Sequence, residues 1–355
     1  MKNVVLILLF VLTSLGFAQT LVAEGLNGPM GVLVAPDGSV WIIDSGLGGG
    51  EEFTAFFPNF GAEFTANYGD SARIVQVTPD GEMNEIATLP SIVVGQETTG
   101  GARLALLNDT VYATSGFWVD VGVEAPDLMS TIVKLEDGEV VEVADAWAFE
   151  QAQNPDGFIA ESHPYGLLAG PDGSLWVADA GANDLLRVDP MSGEITLVAT
   201  FDGVPGPLPN PARGDAMESD PVPTGVALGE DGNVYVGFLV GFPFIPGTAK
   251  VVQVGSDGSV SDYATGLTSL TDLKLGPDGH LYAVQFAVFS EEGPAPGSGA
   301  LVRIAEGEAS EVVLEGLMFP TAVDFDDSGN AFVVVNGVGA PGSGQVMRYD
   351  AVATP

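Results

Sequence analysis

The segment Pro164-Tyr-Gly-Leu-Leu-Ala-Gly-Pro-Asp-Gly-Ser-Leu-Trp176 contains an apolar strand, a turn built on Asp-Gly, and a second strand that carries an aromatic residue. Asp-Gly pairs supply the positive φ angles that tight β-hairpins need. Similar segments begin at Pro29, Gly100, Pro223, Thr271 and Pro320. The chain is therefore built from six copies of one hairpin.

A second hairpin follows each copy after an insert of variable length, as at 73–77 with 85–89 and at 185–188 with 195–200. Four short antiparallel strands per unit, repeated around a ring, are typical of a β-propeller. The sequence predicts an all-β fold: one six-bladed β-propeller domain spanning 19–355, with four-stranded antiparallel blades.

The ends of the chain indicate how the ring closes. Outer strands are predicted at 85–89, 261–267 and 311–317, but the sixth unit stops before it reaches one. Residues 20–26 match that missing strand in sequence. We therefore predict that the N-terminal strand completes the last blade.

The first 18 residues have the features of a secretory signal peptide. A positive start at Lys2 precedes an apolar run over 4–12, and small residues end at Ala18. The run is too short for a stable membrane-spanning helix. We expect a secreted or periplasmic protein, cleaved after residue 18, without membrane insertion.

The chain is strongly acidic, with 48 Asp and Glu against 10 Lys and Arg and a net charge of −38. This charge repels nucleic acid and anionic membrane surfaces. A hydrophobic content of 46% indicates a sizeable buried core. We expect a monomer whose partner is a small molecule or another exported protein.

Strand order places every long insert on one side of the predicted disc, which we call the insert face. Residues that open the first strands or close the second strands should surround the channel there, and loops on a rigid scaffold commonly carry function. His163, Asp44 and Asp179 are the candidates for catalysis, because imidazole and carboxylate groups transfer protons. The candidates for ligand binding are Trp118, Tyr165, Asp272, Gln285 and Asn336.

No cofactor or metal site is predicted, since two histidines on opposite faces cannot build a His-rich zinc site. One alternative stays open. Asp215, Glu218 and Asp220 form an acidic cluster whose oxygens suit Ca²⁺, although their spacing matches no familiar calcium loop.

Three central motifs resemble the ScyD/ScyE family: Asn154-Pro-Asp-Gly157, Ser162-His-Pro-Tyr-Gly-Leu-Leu-Ala169, and Val177-Ala-Asp-Ala-Gly-Ala-Asn-Asp-Leu-Leu-Arg-Val188. The resemblance implies an exported six-bladed propeller related to NHL-repeat proteins, and it supplies no catalytic residues. Calcium-dependent sugar lactonases have a Glu where this chain has Asn27. Streptogramin lyases use more than one channel histidine, whereas only His163 is available here.

These features favour a ligand-binding or scaffold protein, accessory to secondary-metabolite or cell-envelope processes. The alternative is a propeller enzyme, a lactonase or lyase, that acts on a small metabolite with His163 as acid or base. His163 together with two or more carboxylates around one open cavity would favour the enzyme. A channel plugged by aromatic side chains would favour binding.

Overall fold

The computed structural model describes residues 17–307 and 310–355, and six antiparallel sheets dominate this part of the chain. We call them blades 1 to 6. Their strands, from the inside outward, are Pro29–Val34, Val40–Asp44, Ala62–Val77 and Met83–Val94 in blade 1; Gly101–Leu107, Thr110–Ser115, Thr131–Glu136 and Glu139–Asp145 in blade 2; Pro164–Ala169, Leu175–Asp179, Asp184–Val188 and Ile195–Thr200 in blade 3; Pro223–Leu228, Val234–Phe238, Ala249–Val254 and Val260–Leu267 in blade 4; Leu270–Leu275, Leu281–Gln285, Gly299–Ile304 and Glu311–Leu317 in blade 5; and Ala322–Phe325, Ala331–Val335, Gly344–Tyr349 and Gln19–Leu26 in blade 6. The predicted signal peptide lies outside the described residues, apart from its last two.

The innermost strands contact one another in sequence around a closed circuit, and Pro29–Val34 contacts both Gly101–Leu107 and Ala322–Phe325. Apolar side chains on alternating strand positions fill the spaces between neighbouring blades, as Ile132 of blade 2 and Leu175 of blade 3 do. The prediction of an all-β propeller with antiparallel blades is confirmed.

Threonine hydroxyls at the inner strand ends connect the blades through hydrogen bonds. Thr224 donates to the carbonyl of Leu270 at 2.7 Å, and Thr321 donates to the carbonyl of Pro29 at 2.8 Å. The second of these bonds joins the last blade to the first.

The N-terminal strand Gln19–Leu26 completes blade 6, as predicted. It pairs antiparallel with Gly344–Tyr349, with Gln19 opposite Tyr349 and Leu26 opposite Gly344. Leu26 is fully buried in a cluster that also contains Ile42 of blade 1. The first and last blades are therefore held together by both backbone pairing and apolar packing.

Deleting residues 21–25 is expected to open the ring, because strand Gly344–Tyr349 would then present an unpaired edge to other chains. The measurement is size-exclusion chromatography with thermal melting, and we expect aggregation and a lower Tm. Glu24→Gln, a change on the exposed side of the same strand, is the control. A deletion variant that elutes as a monomer with an unchanged Tm would contradict this account of closure.

Blade 1 departs from the predicted four strands. Its third strand, Ala62–Val77, begins inside the predicted insert and pairs there with an added strand, Glu51–Phe57. Its fourth strand extends to Val94 and returns as Glu97–Thr99. Apolar residues at alternating positions stabilise these longer strands, because one face of the added sheet packs against the insert of blade 2.

The remaining elements lie in the inserts. Helix Ala146–Gln153 forms where the sequence lacks Gly, Pro and β-branched residues, and the Asp145 carboxylate caps it by accepting from the Ala148 N–H at 2.8 Å. The others are a 3₁₀ turn at Pro211–Arg213 and three two-stranded ribbons: Trp118–Val119 with Glu161–Ser162, Val204–Asn210 with Ala216–Ser219, and Phe289–Ser290 with Gly293–Pro294. In the described part of the chain no helix has the length and apolarity needed to cross a bilayer.

Candidate functional site

A cavity of about 510 Å³ opens on the insert face above the centre of the ring. Its lower wall comes from residues at the start of the inner strands, and its upper wall is largely apolar. The wall includes Met30, Tyr165, Thr224, Thr271 and Thr321 below, and Leu47, Leu239, Phe244, Phe286, Phe289 and Val338 above. A concave apolar wall with a few polar groups is typical of a small-molecule site.

Three phenylalanines form one side of this cavity, which we call the aromatic wall: Phe244, Phe286 and Phe289. The rings of Phe244 and Phe289 stack with centroids 4.6 Å apart, and the ring of Phe286 lies 6.1 Å from that of Phe289. The aromatic wall borders the cavity without filling it. Most other insert aromatics, including Phe57 and Trp118, pack together beside it in a separate core.

Arg103 lies beneath the cavity and crosses the channel. This side chain, on the inner strand of blade 2, is only 2% exposed and donates to main-chain carbonyls of three other blades, at Met30, Thr271 and Thr321. Its Nε also donates to Asp272 Oδ1 at 3.3 Å. The guanidinium therefore ties four blades together and brings a positive charge close under the cavity.

Tyr165 and Asp272, both predicted as ligand-binding residues, are positioned by Arg103. The guanidinium carbon lies 4.5 Å from the centroid of the Tyr165 ring, which lines the cavity. The other oxygen of Asp272 accepts from the Val323 N–H at 3.0 Å. Asp272 is buried below the cavity as the counter-ion of Arg103. This geometry does not favour contact between Asp272 and a ligand, and that contact stays a prediction.

His163 reaches the cavity, as its position before an inner strand predicted. Its ring lies between Phe117 and Tyr165, at centroid distances of 6.0 and 5.3 Å. Among the described residues the imidazole makes no hydrogen bond. Loss of water, and then the charge of Arg103, lower the pKa of His163 to about 4. The ring is therefore neutral at pH 7 and able to accept a proton.

Two carboxylates lie near His163, and neither was among the residues predicted from the sequence. Glu97, Glu161 and His163 together line a side cavity of about 150 Å³, and Glu97 and His163 also line the main cavity. Glu161 and His163 are two residues apart in an extended segment, so both point to one side while Ser162 between them points to the other. Glu97 arrives from blade 1 on the returning strand Glu97–Thr99.

Burial raises the pKa of Glu161 to about 8, and a hydrogen bond from Asn59 Nδ2 at 3.2 Å opposes that rise. Glu97 lies at the cavity mouth, where neighbouring atoms displace part of its water and raise its pKa as well. At neutral pH the side cavity thus holds an unprotonated histidine and a protonated glutamic acid. Titratable groups whose environments invert their usual protonation states suit an acid–base pair.

Asp44 and Asp179, the other catalytic candidates, do not line the cavity. Asp44 is fully buried and accepts from Arg73 Nη2 at 2.6 Å and from the Asn27 N–H at 3.1 Å. Asp179 accepts from the Ser162 hydroxyl and the His163 N–H, both at 2.6 Å. Burial raises the pKa of both carboxyl groups, and these donors oppose the rise. Both residues fix loop backbone, and a direct catalytic role for them stays a prediction.

The remaining binding candidates also lie outside the cavity lining. Trp118 is 2% exposed and packs its ring 5.8 Å from that of Phe53. Gln285 accepts from the Thr268 N–H at 2.8 Å, and Asn336 donates to the Ser343 carbonyl at 3.2 Å. Each of these polar side chains supports a connecting loop.

Comparisons with known proteins agree with this architecture. No protein-family model matches the chain. A gluconolactonase of Zymomonas mobilis is 26% identical over 197 residues, which amount to 52% of this chain and 52% of that protein. The chain therefore spans about half the length of this curated relative.

Two solved structures share the fold over almost the whole chain. Virginiamycin B lyase from Staphylococcus aureus has a TM-score of 0.50 at 15% identity, covering 93% of this chain and 99% of that one. The PQQ-bound aldose sugar dehydrogenase from Streptomyces coelicolor has a TM-score of 0.50 at 16% identity, covering 94% and 98%. The chain is a β-propeller. These likenesses show the fold alone, and the comparisons do not support the ScyD/ScyE family itself.

The channel of the propeller does not fit a divalent cation of the kind that calcium-dependent lactonases use. The Arg103 guanidinium lies directly beneath the cavity, and nowhere in residues 17–307 and 310–355 do three His, Asp or Glu side chains converge as ligands of one ion. The acidic cluster named from the sequence is partly occupied, because Glu218 and Asp220 accept from Arg213 at 2.7 and 3.4 Å. Ca²⁺ binding by that cluster stays a prediction that Arg213 opposes.

Proposed function

We propose that this propeller is an enzyme that performs general acid–base chemistry on a small, ring-bearing metabolite, as a lactonase or a lyase does. The observation that carries the proposal is that His163 and Glu97 line both the cavity of the insert face and a side cavity, which Glu161 also lines. A histidine that faces an open cavity, with one carboxylate at that cavity and a second in the adjoining side cavity, supports an enzyme over a passive scaffold.

His163 is the proposed base and Glu161 the proposed acid. In a lactone hydrolysis, neutral His163 accepts a proton from the attacking water while protonated Glu161 donates one to the ring oxygen as the C–O bond breaks. In an elimination, His163 removes the proton from carbon and Glu161 protonates the leaving group. Negative charge that develops on the substrate is favoured by Arg103 below the cavity.

The aromatic wall supports an apolar ring as part of the ligand, because stacked phenyl rings offer a flat surface for it. The same wall also supports the competing proposal, in which the cavity binds a ligand without turnover as a binding or scaffold protein. Whether the protein is an enzyme or a binding protein, we propose that residues 1–18 direct its export and that it is a monomer. The resemblance to the ScyD/ScyE family is likewise part of both proposals.

The dependence of kcat/KM on pH tests the acid–base assignment. The substrate is to be found by assaying a panel of lactones, small glycosides and virginiamycin B. We expect a plateau between about pH 5 and 7. Activity should fall below about pH 4 as His163 becomes protonated, and above about pH 8 as Glu161 loses its proton.

An activity that rises steadily through pH 8 would contradict Glu161 as the acid. Tight binding of a panel member without turnover would move support to the binding proposal.

A further inference from the structure

A group of acidic side chains, separate from Glu97 and Glu161, lies between blade 3 and the insert that precedes it. Asp179 and Asp184 are directly opposite each other on the two central strands of blade 3. Residues so placed in an antiparallel pair share one face, with Cβ atoms about 4.5–5.5 Å apart. Glu150 comes from helix Ala146–Gln153, which packs on the short strand Glu161–Ser162. Like charges in this arrangement repel one another.

Two of these side chains are buried without partners. Asp184 is 0% exposed and Glu150 is 1% exposed, and none of their four carboxylate oxygens has a hydrogen-bond partner within the described residues. Asp179 differs, because four donors satisfy its oxygens. A buried polar group that lacks a partner is costly, and a buried charge is costlier still.

No protein cation compensates for the pair. Arg213 approaches the edge of the group, where its Nη1 lies 3.8 Å from Asp156 Oδ2, but its Nε is committed to Glu218 at 2.7 Å. In the described part of the chain no ion pair includes Asp184 or Glu150. Either bound protons or a bound metal ion must therefore neutralise them.

The local electrostatics agree with this requirement. Burial, followed by the charges of Asp179 and Asp156, raises the pKa of Glu150 to about 8, and the nearby Glu161 N–H, which lies outside hydrogen-bond geometry, opposes the rise. Burial and the charges of Asp179 and Glu150 hold the pKa of Asp184 well above its ordinary value. A metal ion that replaces these protons would remove the repulsion between the two carboxylates. It would also give their oxygens a binding partner.

We propose that Glu150 and Asp184 bind a hard divalent cation, best matched by Ca²⁺, between the insert helix and blade 3. All the available ligand atoms are oxygens, which Ca²⁺ prefers, and its flexible shell of six to eight ligands accepts carboxylates of either denticity. Because only two side chains converge, main-chain carbonyls and water complete the shell. The ion lies beside Asp179, which holds the backbone N–H of His163, and so steadies the segment next to the cavity.

The test is calorimetric titration of the mature, EDTA-treated protein with CaCl₂ at pH 7.5 in 0.15 M NaCl, where salt screens diffuse attraction to the acidic surface. Wild type is compared with Glu150→Gln and Asp184→Asn, and Asp80→Asn, an exposed acid in a turn of blade 1, is the control. We expect one stoichiometric site in wild type and control, at least tenfold weaker binding in the two variants, and a Ca²⁺-dependent rise in Tm that only the two variants lose.

Binding that is equal in all four proteins would overturn the proposal, and so would the absence of a stoichiometric site. If protons neutralise the pair instead, the pKa values raised in the folded state make stability fall as pH rises from about 4.5 through about 8. Glu150→Gln would then raise Tm at pH 8 without Ca²⁺. This test needs no substrate, so its result is independent of the proposed acid–base chemistry.

Discussion

Replacing His163 by alanine is expected to lower kcat and kcat/KM by about 10²–10⁴-fold, which is the usual contribution of a positioned acid or base. The ring makes no hydrogen bond among the described residues, so its removal leaves no buried donor or acceptor unpaired. Both constants should fall together, because proton transfer occurs only in the transition state. The measurement is steady-state kinetics at pH 6–7 on the substrate found in the panel.

The chain offers a matched control in its other histidine. His280 lies in a turn on the opposite face, where its Nδ1 is 3.1 Å from the Asp278 carbonyl oxygen. His280→Ala should leave kcat/KM unchanged. Glu161→Gln, which keeps the shape but cannot release a proton, should lower kcat by a similar factor to His163→Ala. Full activity in His163→Ala would remove the proposed mechanism.

Replacing Arg103 by leucine is expected to lower the free energy of unfolding by about 3–5 kcal/mol, the usual cost of removing one partner from a buried ion pair. The change leaves Asp272 charged and buried, and it removes the donor to carbonyls of blades 1, 5 and 6. Denaturant unfolding monitored by tryptophan fluorescence measures the loss.

Arg303→Leu is the control for this change, because Arg303 pairs with Glu311 on the surface with 39% and 62% of the two side chains exposed. Exposed pairs contribute about 0–1 kcal/mol. A cost at Arg103 no greater than the cost at Arg303 would show that the channel arginine is not what ties the blades together.

The sequence was sufficient for the fold because its signals are local and repeated. Asp-Gly turns mark the hairpins, and the strand over residues 20–26 resembles the outer strand that blade 6 lacks. Blade 1 was the exception, because its insert adds strands whose alternating apolar residues bury a face against another insert. That burial depends on a neighbour that no local pattern identifies.

The candidate site was predicted only in part. His163 and Tyr165 reach the cavity because the start of an inner strand must face the axis. Asp44 and Asp179 occupy the predicted strand ends, but their carboxylates turn toward backbone N–H groups of the adjoining loops. The position of a residue along a strand does not determine from which of several nearby N–H groups a short carboxylate side chain will accept a hydrogen bond.

Three residues of the site region were missed. Glu161 carried a signal, since it precedes His163 by two residues in an extended segment and must share its side. Glu97 carried none, because it reaches the cavity through the long return of blade 1. Arg103 lies in the copy of the repeat that begins at Gly100, and its role depends on carbonyls that are up to 218 residues away.

The proposed acid–base chemistry requires a neutral His163 beside a protonated Glu161 at physiological pH. An NMR titration of the two histidine side chains tests this without any substrate, and the His280→Ala variant identifies the His163 signal. We predict that His163 stays neutral from pH 8 down to about pH 5 and titrates at about 4, while the backbone spectrum shows that the protein remains folded. A His163 ring that is already protonated at pH 6 would contradict the assignment of His163 as the base.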